Sequence, residues 1–453
     1  MAQPADERGR TGLRRTLTFR DLVVYGLLFI APMAPVGVFG TLDAKSHGAV
    51  ALVYVVATVA MAFTAFSYAQ MVRVAPQAGS VYTYARVGLG EGPGFVAGWM
   101  AMLDYLLIPA VAYLFSGIAM NALVPEVSRW VWTAVAVVVT TGLNLWGVRA
   151  AARVGFLVLA MEIAVLLVFV ASAVFALAEK GTRRDWLSPL TGDGGLTTGA
   201  VFAAVSVAVL SYLGFDAIAA FAEESAGGSA RVARAVMTCL AVAGVLFVAQ
   251  TYLAALLAPM TPAELTADPA AQGSAFYDTV DAATGAWLHD LVAASKAIGA
   301  AFAALAGQAA AGRLLFAMAR DRRLPAPLAK VDSGSGVPRP ALLGAAVVTL
   351  VAAVWAARRD DGLDRLVSVV NVGALVAFAL LHLSVIGWFA VRKRGGPASP
   401  VRHVVVPLLG LAVVIAVVVK AAATAQIVGG VWLAVGLGVL ITQRFRGRAA
   451  GTG

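Results

Sequence analysis

Charge is scarce in this 453-residue chain. Asp, Glu, Lys and Arg make up 13% of it and hydrophobic residues 60%, where a soluble domain carries about 25% charged residues. That deficit, with a mean hydropathy of +0.86, predicts an integral membrane protein. Cysteine is almost missing: Cys239 alone excludes a disulfide framework and any cysteine-based metal site. The chain has no GxxxxGK[ST] phosphate loop, no HExxH and no Cys/His cluster, so nothing points to ATP coupling, a bound zinc, a cofactor or an enzyme. Gly88-Leu89-Gly90 follows no strand and carries no dinucleotide signal. A secretory leader with a small-residue cleavage site is also lacking. Met1 to Arg20 is polar and basic, and the first apolar run is expected to stay as a span.

Long apolar runs dominate what is present. A span needs about 20 mostly apolar residues. Such runs occur near 20–42, 48–74, 93–121, 128–148, 151–178, 197–223, 235–258, 286–319, 339–357, 364–391, 403–422 and 424–443. The expected fold is therefore all-α, with twelve transmembrane helices and both termini on one side. Of the 34 Lys and Arg residues, 23 fall on the side of the termini, 8 on the other, and Lys296, Arg313 and Lys420 inside or at the ends of spans. The positive-inside rule then puts both termini in the cytoplasm and the protein in the cell (plasma) membrane. The same scatter excludes nucleic acid as a partner, because the net charge of +10 marks topology rather than one basic patch. The acidic connection 259–285 reads as a solvated outer loop, and 75–92 as a turn followed by a short interfacial segment.

The first run contains breakers. Ile30-Ala31-Pro32-Met33-Ala34-Pro35-Val36-Gly37-Val38-Phe39-Gly40 cannot form an unbroken helix, since proline removes a donor and clashes with the preceding turn. In hydrocarbon each freed backbone group costs several kcal/mol unless it is satisfied, so such a break belongs inside the protein or against a cavity. Pro32, Met33, Ala34, Pro35, Val36 and Gly37 are the first substrate-binding candidates. The sixth run carries a second break, Ser211-Tyr212-Leu213-Gly214-Phe215-Asp216-Ala217, which adds Tyr212, Gly214, Phe215 and Asp216. Span one plus five is span six. Matched breaks in two five-span halves point to an inverted-repeat transporter. Its expected division is a tail at 1–19, repeats at 20–178 and 197–391 joined by an outer loop at 179–196, two peripheral helices within 392–443, and a tail at 444–453.

Ionisable groups inside spans are functional candidates. Asp104, followed by Tyr105, lies roughly 14 Å into the third span. Glu162 lies at similar depth in the fifth. A carboxyl facing the cavity can hold an ammonium, which suits Asp104 and Asp216. One buried without a partner can take up and release a proton near neutral pH, which makes Glu162 the proton-coupling candidate. Lys296 reads as snorkelling from the outer end of the eighth span. Gln308 and Asn371 are left as either cavity-lining groups or packing donors.

These residues resemble the amino acid–polyamine–organocation transporters over nearly the whole chain, and within them the bacterial putrescine importers. Pro32-Met33 carries the resemblance, as do Phe66-Ser67-Tyr68, Pro76-Gln77-Ala78-Gly79-Ser80, Leu103-Asp104-Tyr105, Tyr212-Leu213-Gly214-Phe215-Asp216 with Glu223-Glu224, and Arg313-Leu314-Leu315-Phe316-Ala317-Met318-Ala319-Arg320-Asp321. The resemblance implies two inverted five-helix repeats plus two peripheral helices, alternating access around spans one and six, and a gating aromatic at Tyr105. It implies a secondary transporter importing a small organic cation, putrescine or another polyamine, with protons as coupling ion. An amino acid permease or a substrate exchanger is the alternative. A channel, from a different class, fits matched midplane breaks less well than a carrier.

Overall fold

The computed structural model describes residues 15–77, 79–124, 126–146, 148–332, 336–359, 362–394, 396–420 and 423–449. The expected tails at 1–19 and 444–453 lie partly outside the described residues, and Ala78 lies outside them. The described chain is helical, with one isolated β-bridge between Leu17 and Ser225.

In chain order the α-helices are α1 Phe19–Ile30, α2 Phe39–Lys45, α3 Val50–Val74, α4 Val81–Leu89, α5 Glu91–Leu123, α6 Arg129–Trp146, α7 Val148–Lys180, α8 Ser188–Thr191 and α9 Thr198–Tyr212. They continue as α10 Ala217–Ala220, α11 Ser229–Leu257, α12 Pro262–Ala267, α13 Ala275–Thr284, α14 Ala286–Arg320, α15 Arg339–Ala357, α16 Gly362–Val385, α17 Val406–Lys420 and α18 Ala423–Ala449. Every one of the twelve apolar runs is helical. Among the described residues, ten segments are long and apolar enough to cross a membrane. The fourth run (α6, 18 residues) is not among these ten, and the twelfth contributes the shorter apolar stretch Gln426–Thr442 of α18. Val138, Val245 and Val351 are all more than 60% exposed, an apolar outer surface suited to lipid.

The first and sixth runs are broken where the sequence predicts. Thr18 and Asp21 form a capping box at the start of α1, a reciprocal pairing that satisfies two orphan donors. The helix ends at Ile30, passes through a 3₁₀ turn at Ala34–Gly37 and resumes as α2. Span six stops at Tyr212 and resumes as the single turn α10.

Corresponding spans of the two halves pack on each other. The second meets the seventh (α3 on α11), the third meets the eighth (α5 on α14) and the fourth meets the ninth (α6 on α15). An inverted repeat about an axis in the membrane plane brings equivalent helices together in this way. Alanine and glycine line α14, and small residues let helix backbones approach closely where lipid offers no hydrophobic drive. The segment 75–92 contains a helix, as expected, but α4 is buried rather than interfacial: Tyr82 and Tyr84 are at most 1% exposed. The connection 259–285, expected as a solvated outer loop, is not a plain loop either. It forms α12, a 3₁₀ turn and α13, and α12 and the turn pack on α2.

Ion pairs close the bundle at both ends. On the side where the described chain begins, Arg313 pairs with Glu224 through two guanidinium nitrogens, with both side chains at most 3% exposed. The Arg313 guanidinium also lies 4.1 Å from the Phe221 ring centre. The backbone N–H groups of Thr16 and Leu17 donate to the Glu224 carbonyl at 2.9 Å. Arg320 pairs with Glu223 at 2.8 Å and Arg86 with Asp321 at 2.6 Å. At the opposite end Arg184 grips the buried Asp43 through two bonds of 2.9 and 2.7 Å and donates to the Met260 carbonyl. Removing one member of a buried pair strands the other charge, at about 3–5 kcal/mol, whereas replacing both with apolar groups is close to neutral. Arg313→Met is therefore expected to lower the unfolding temperature of the detergent-solubilised protein clearly. Arg313→Met combined with Glu224→Leu is expected to recover most of the loss in the same thermal melt.

Candidate functional site

The end of α1 leaves carbonyls without helical partners. Ala31, at φ +60°, turns the chain out of the helix while its N–H still bonds the Leu27 carbonyl at 3.0 Å. Gln250 of α11 donates to the Pro32 carbonyl at 2.9 Å. Lys296 of α14 donates to the Met33 carbonyl at 3.1 Å. Three donors of the break are used internally: Ala34 N–H bonds the Ala31 carbonyl, Val36 N–H the Met33 carbonyl and Val38 N–H the Pro35 carbonyl, at 2.9 to 3.1 Å. Pro32 and Pro35 have none to offer.

Gly214 makes the second break, at φ +115°, and a Cβ there would run into the Phe29 ring. Phe29 also lines a cavity of about 60 Å³, together with Ala31, Ala34, Phe115, Ser211, Leu213 and Lys296 among others. Both broken spans contribute to its wall. Its surface is mostly apolar, with Ser211 and Lys296 as its polar side chains.

The expected site residues divide into groups. Ala34 lines the cavity, while Met33, Pro35 and Val36 are buried beside it. Gly37 abuts the Phe115 ring, and Pro32 takes part through its carbonyl. Asp216 faces away from the cavity into a cluster of tyrosines. It accepts from Tyr105 Oη at 2.6 Å, from Tyr68 Oη at 3.2 Å and from its neighbour Gly214 N–H at 3.3 Å. Tyr105 Oη also lies 3.0 Å from Ser80 Oγ. Asp104 is buried close enough for the two acids to act on each other, and its Oδ1 has no hydrogen-bond partner among the described residues. Phe215 packs edge-on against Tyr68. Tyr212 points to α3 instead, 2.6 Å from Thr58 Oγ1 and 3.2 Å from the Tyr54 carbonyl.

Glu162 is fully buried, and neither carboxylate oxygen has a hydrogen-bond partner among the described residues. It lies directly against Gly299 of α14, one turn from Lys296, and the two charges interact. Lys296 does not snorkel. It is 5% exposed, stands in the cavity wall, and its ammonium lies 5.4 Å from the Phe115 ring centre. Gln308 and Asn371 serve packing: Gln308 accepts from Thr141 and Asn144, and Asn371 donates to the Ser206 carbonyl. Gln250, Phe29 and Phe115 were not singled out in the sequence. An amide in the middle of the seventh apolar run was the one available signal among them.

A profile of the amino acid permease family matches residues 23–436. The chain belongs to the amino acid permease family. It has that family's architecture of inverted five-helix repeats, is a multi-pass membrane protein, and is a transporter rather than an enzyme. It is 28% identical to the low-affinity putrescine importer PlaP of Escherichia coli K12 over 96% of both chains. It is 26% identical to the branched-chain amino acid permease BcaP of Lactococcus lactis, over 94% of this chain and 93% of that one. With the vacuolar cationic amino acid transporter 2 of Arabidopsis thaliana it shares 27% over 83% of this permease and 60% of the relative.

A side chain at Gly214 faces two obstacles, its φ and the Phe29 ring. Strained backbone of this kind costs about 1–3 kcal/mol. Gly214→Ala is expected to reduce substrate uptake into proteoliposomes at least about tenfold, while the protein still inserts and elutes as a single species on size exclusion.

Proposed function

We propose that this permease imports a small amine, best represented by a diamine such as putrescine, across the plasma (inner) membrane and couples uptake to the proton gradient. Both termini face the cytoplasm, as the excess of Lys and Arg on that side indicates. Residues 20–178 and 197–391 form the two halves that rearrange, and 392–443 supplies the peripheral helices. The observation that carries amine uptake is the reduced donor set of the first break. Two prolines and three internally bonded N–H groups leave little for a carboxylate, while the C-terminal end of α1 favours positive charge. Asp104 and Asp216 supply carboxylates for the ammonium groups behind Phe29, and Tyr105 gates that passage. Pro32, Met33, Ala34, Pro35, Val36 and Gly37 form the floor of the site, with Gly214 and Phe215 opposite. Tyr212 anchors the second break to Thr58 and Tyr54 of α3. Glu162, buried with both oxygens unbonded among the described residues, carries the proton. The full-length similarity to a putrescine importer supports the same substrate class.

Amino acid uptake is the second reading. Lys296 in the cavity wall could meet a carboxylate, and several relatives are amino acid carriers.

Proteoliposomes under an imposed pH gradient test the proposal. Accumulation of labelled putrescine is expected. No accumulation, with leucine or arginine taken up instead, would select the amino acid reading. In the same vesicles Glu162→Gln is expected to abolish gradient-driven accumulation while keeping exchange of substrate across the membrane. Full accumulation by that variant would remove Glu162 from coupling. Asp104→Asn is expected to raise KM for putrescine by about tenfold, the loss of one charged hydrogen bond, and to leave KM for a neutral amino acid almost unchanged. Equal effects on both would make Asp104 structural.

A further inference from the structure

We propose that the start of α6 and the end of α15 form a site for one anionic phospholipid, with Arg358 and Arg359 on its phosphate and an acyl chain laid along α15. The site lies on the side away from the termini, apart from both broken spans, and does not depend on the amine reading.

A groove of about 720 Å³ opens there. It is lined by Ala134 of α6 and, from α15 and the turn after it, by Val351, Val354, Trp355, Arg358 and Arg359 among others. No acidic side chain lines it among the described residues. Asp360 and Asp361, next in sequence, lie outside the described residues.

Both arginines are exposed, and both are held over aromatic faces. The Arg358 guanidinium lies 4.5 Å from the Trp130 ring centre, and that of Arg359 lies 4.9 Å from the Trp355 ring centre. Stacking uses the face of a guanidinium and leaves the donors on its edge to meet an anion. A phosphate takes two such donors at once. Tryptophan is enriched where hydrocarbon meets headgroups, so Trp130 and Trp355 set the phosphate at headgroup depth.

Arg129 builds the platform. Its Nε donates to the Ala357 carbonyl at 2.5 Å and its Nη2 to the Arg359 carbonyl at 3.0 Å. The last carbonyls of a helix lack helical partners. α6 supplies one here and so holds the turn that carries the two arginines.

The apolar part of the site runs down α15. Trp355, Val351, Val347 and Leu343 are all exposed and stand four positions apart, which puts them on one face of the helix. From Trp355 to Leu343 the stripe covers about 18 Å, close to the roughly 15 Å of one leaflet. Cationic groups at one end and a leaflet-deep apolar track at the other fit a lipid better than a soluble anion. A zwitterionic headgroup would bring a cation beside the arginines with no carboxylate in the lining to receive it. The favoured lipid therefore carries a net negative charge.

Native mass spectrometry of the detergent-solubilised full chain, titrated with phosphatidylglycerol and with phosphatidylcholine of the same acyl chains, tests this. The wild type is expected to hold one phosphatidylglycerol about tenfold more tightly than phosphatidylcholine, the worth of one charged hydrogen bond. Arg358→Gln combined with Arg359→Gln is expected to bring the two lipids to equal affinity. Val351→Trp keeps both charges but fills the track, and is expected to weaken phosphatidylglycerol by a similar factor. Should the double variant fail to insert, Arg359→Gln alone replaces it, with a reduced preference expected. A wild type without preference, or an arginine variant that keeps the full preference, overturns the site. Unchanged phosphatidylglycerol affinity in Val351→Trp leaves only charge attraction at the surface and overturns the acyl track. Displacement of the lipid by an equal concentration of glycerol phosphate overturns it in favour of a soluble anion. A wild-type dimer that retains no lipid and that the double variant splits overturns it in favour of a second copy of the chain.

Discussion

Carbonyl groups freed in the middle of a membrane have to be answered, and in this protein they are answered from the opposite half. The break of the first span is held by Gln250 and Lys296, from the seventh and eighth spans. The break of the sixth span is held through Asp216 by Tyr68 and Tyr105, from the second and third. Each half therefore stabilises the irregular backbone of the other. Where lipid gives helices no hydrophobic reason to associate, these polar contacts bind the halves together at the two breaks. On the proposed reading a rearrangement of one half against the other exchanges them, so the cost of motion is concentrated at the proposed substrate site.

The bundle ends differ from its middle in kind. Helix packing through the centre is apolar and close, with alanines and glycines of α14 set against α5. The two ends are closed by ion pairs, Arg313 with Glu224 on one side and Arg184 with Asp43 on the other. A buried ion pair contributes little net stability against an apolar replacement of the same volume. Its geometry is demanding, however, and it is lost entirely when the partners separate. Contacts of this type can make a closure definite without making it permanent, which apolar interdigitation over the same area would not do.

The spans were legible because hydrocarbon demands about 20 apolar residues in a row, and the breaks because prolines and a mid-span glycine cannot be hidden in a continuous helix. Burial was legible too: Asp104, Glu162 and Asp216 are all buried. Rotation about the helix axis was not. A helix that is apolar all round carries no periodic signal to say which face meets which neighbour. Asp216 thus turned out to face tyrosines rather than the cavity. Lys296 was misread for a related reason. A long basic side chain in a span suggests an escape to the interface, and only the position of Met33 across the interhelical space reveals a nearer partner. Gln250 shows the same limit, since its role depends on a carbonyl 218 residues away in sequence.

Donor arithmetic separates substrate classes more sharply than cavity shape does. A carboxylate needs N–H groups, and the 3₁₀ turn at Ala34–Gly37 has turned those of Ala34, Val36 and Val38 inward. The remaining cation near the break is Lys296, itself opposed by Glu162. An amine needs acceptors, which a helix C-terminus and buried acids supply. On the proposed reading, the difference between carrying an amine and carrying an amino acid comes down to how fully Lys296 is engaged, and its hydrogen-bond partner is the Met33 carbonyl. Replacing Pro35 with a residue that has an N–H would add a donor without disturbing that pair. The first break is therefore the place where substrate class could change at least structural cost.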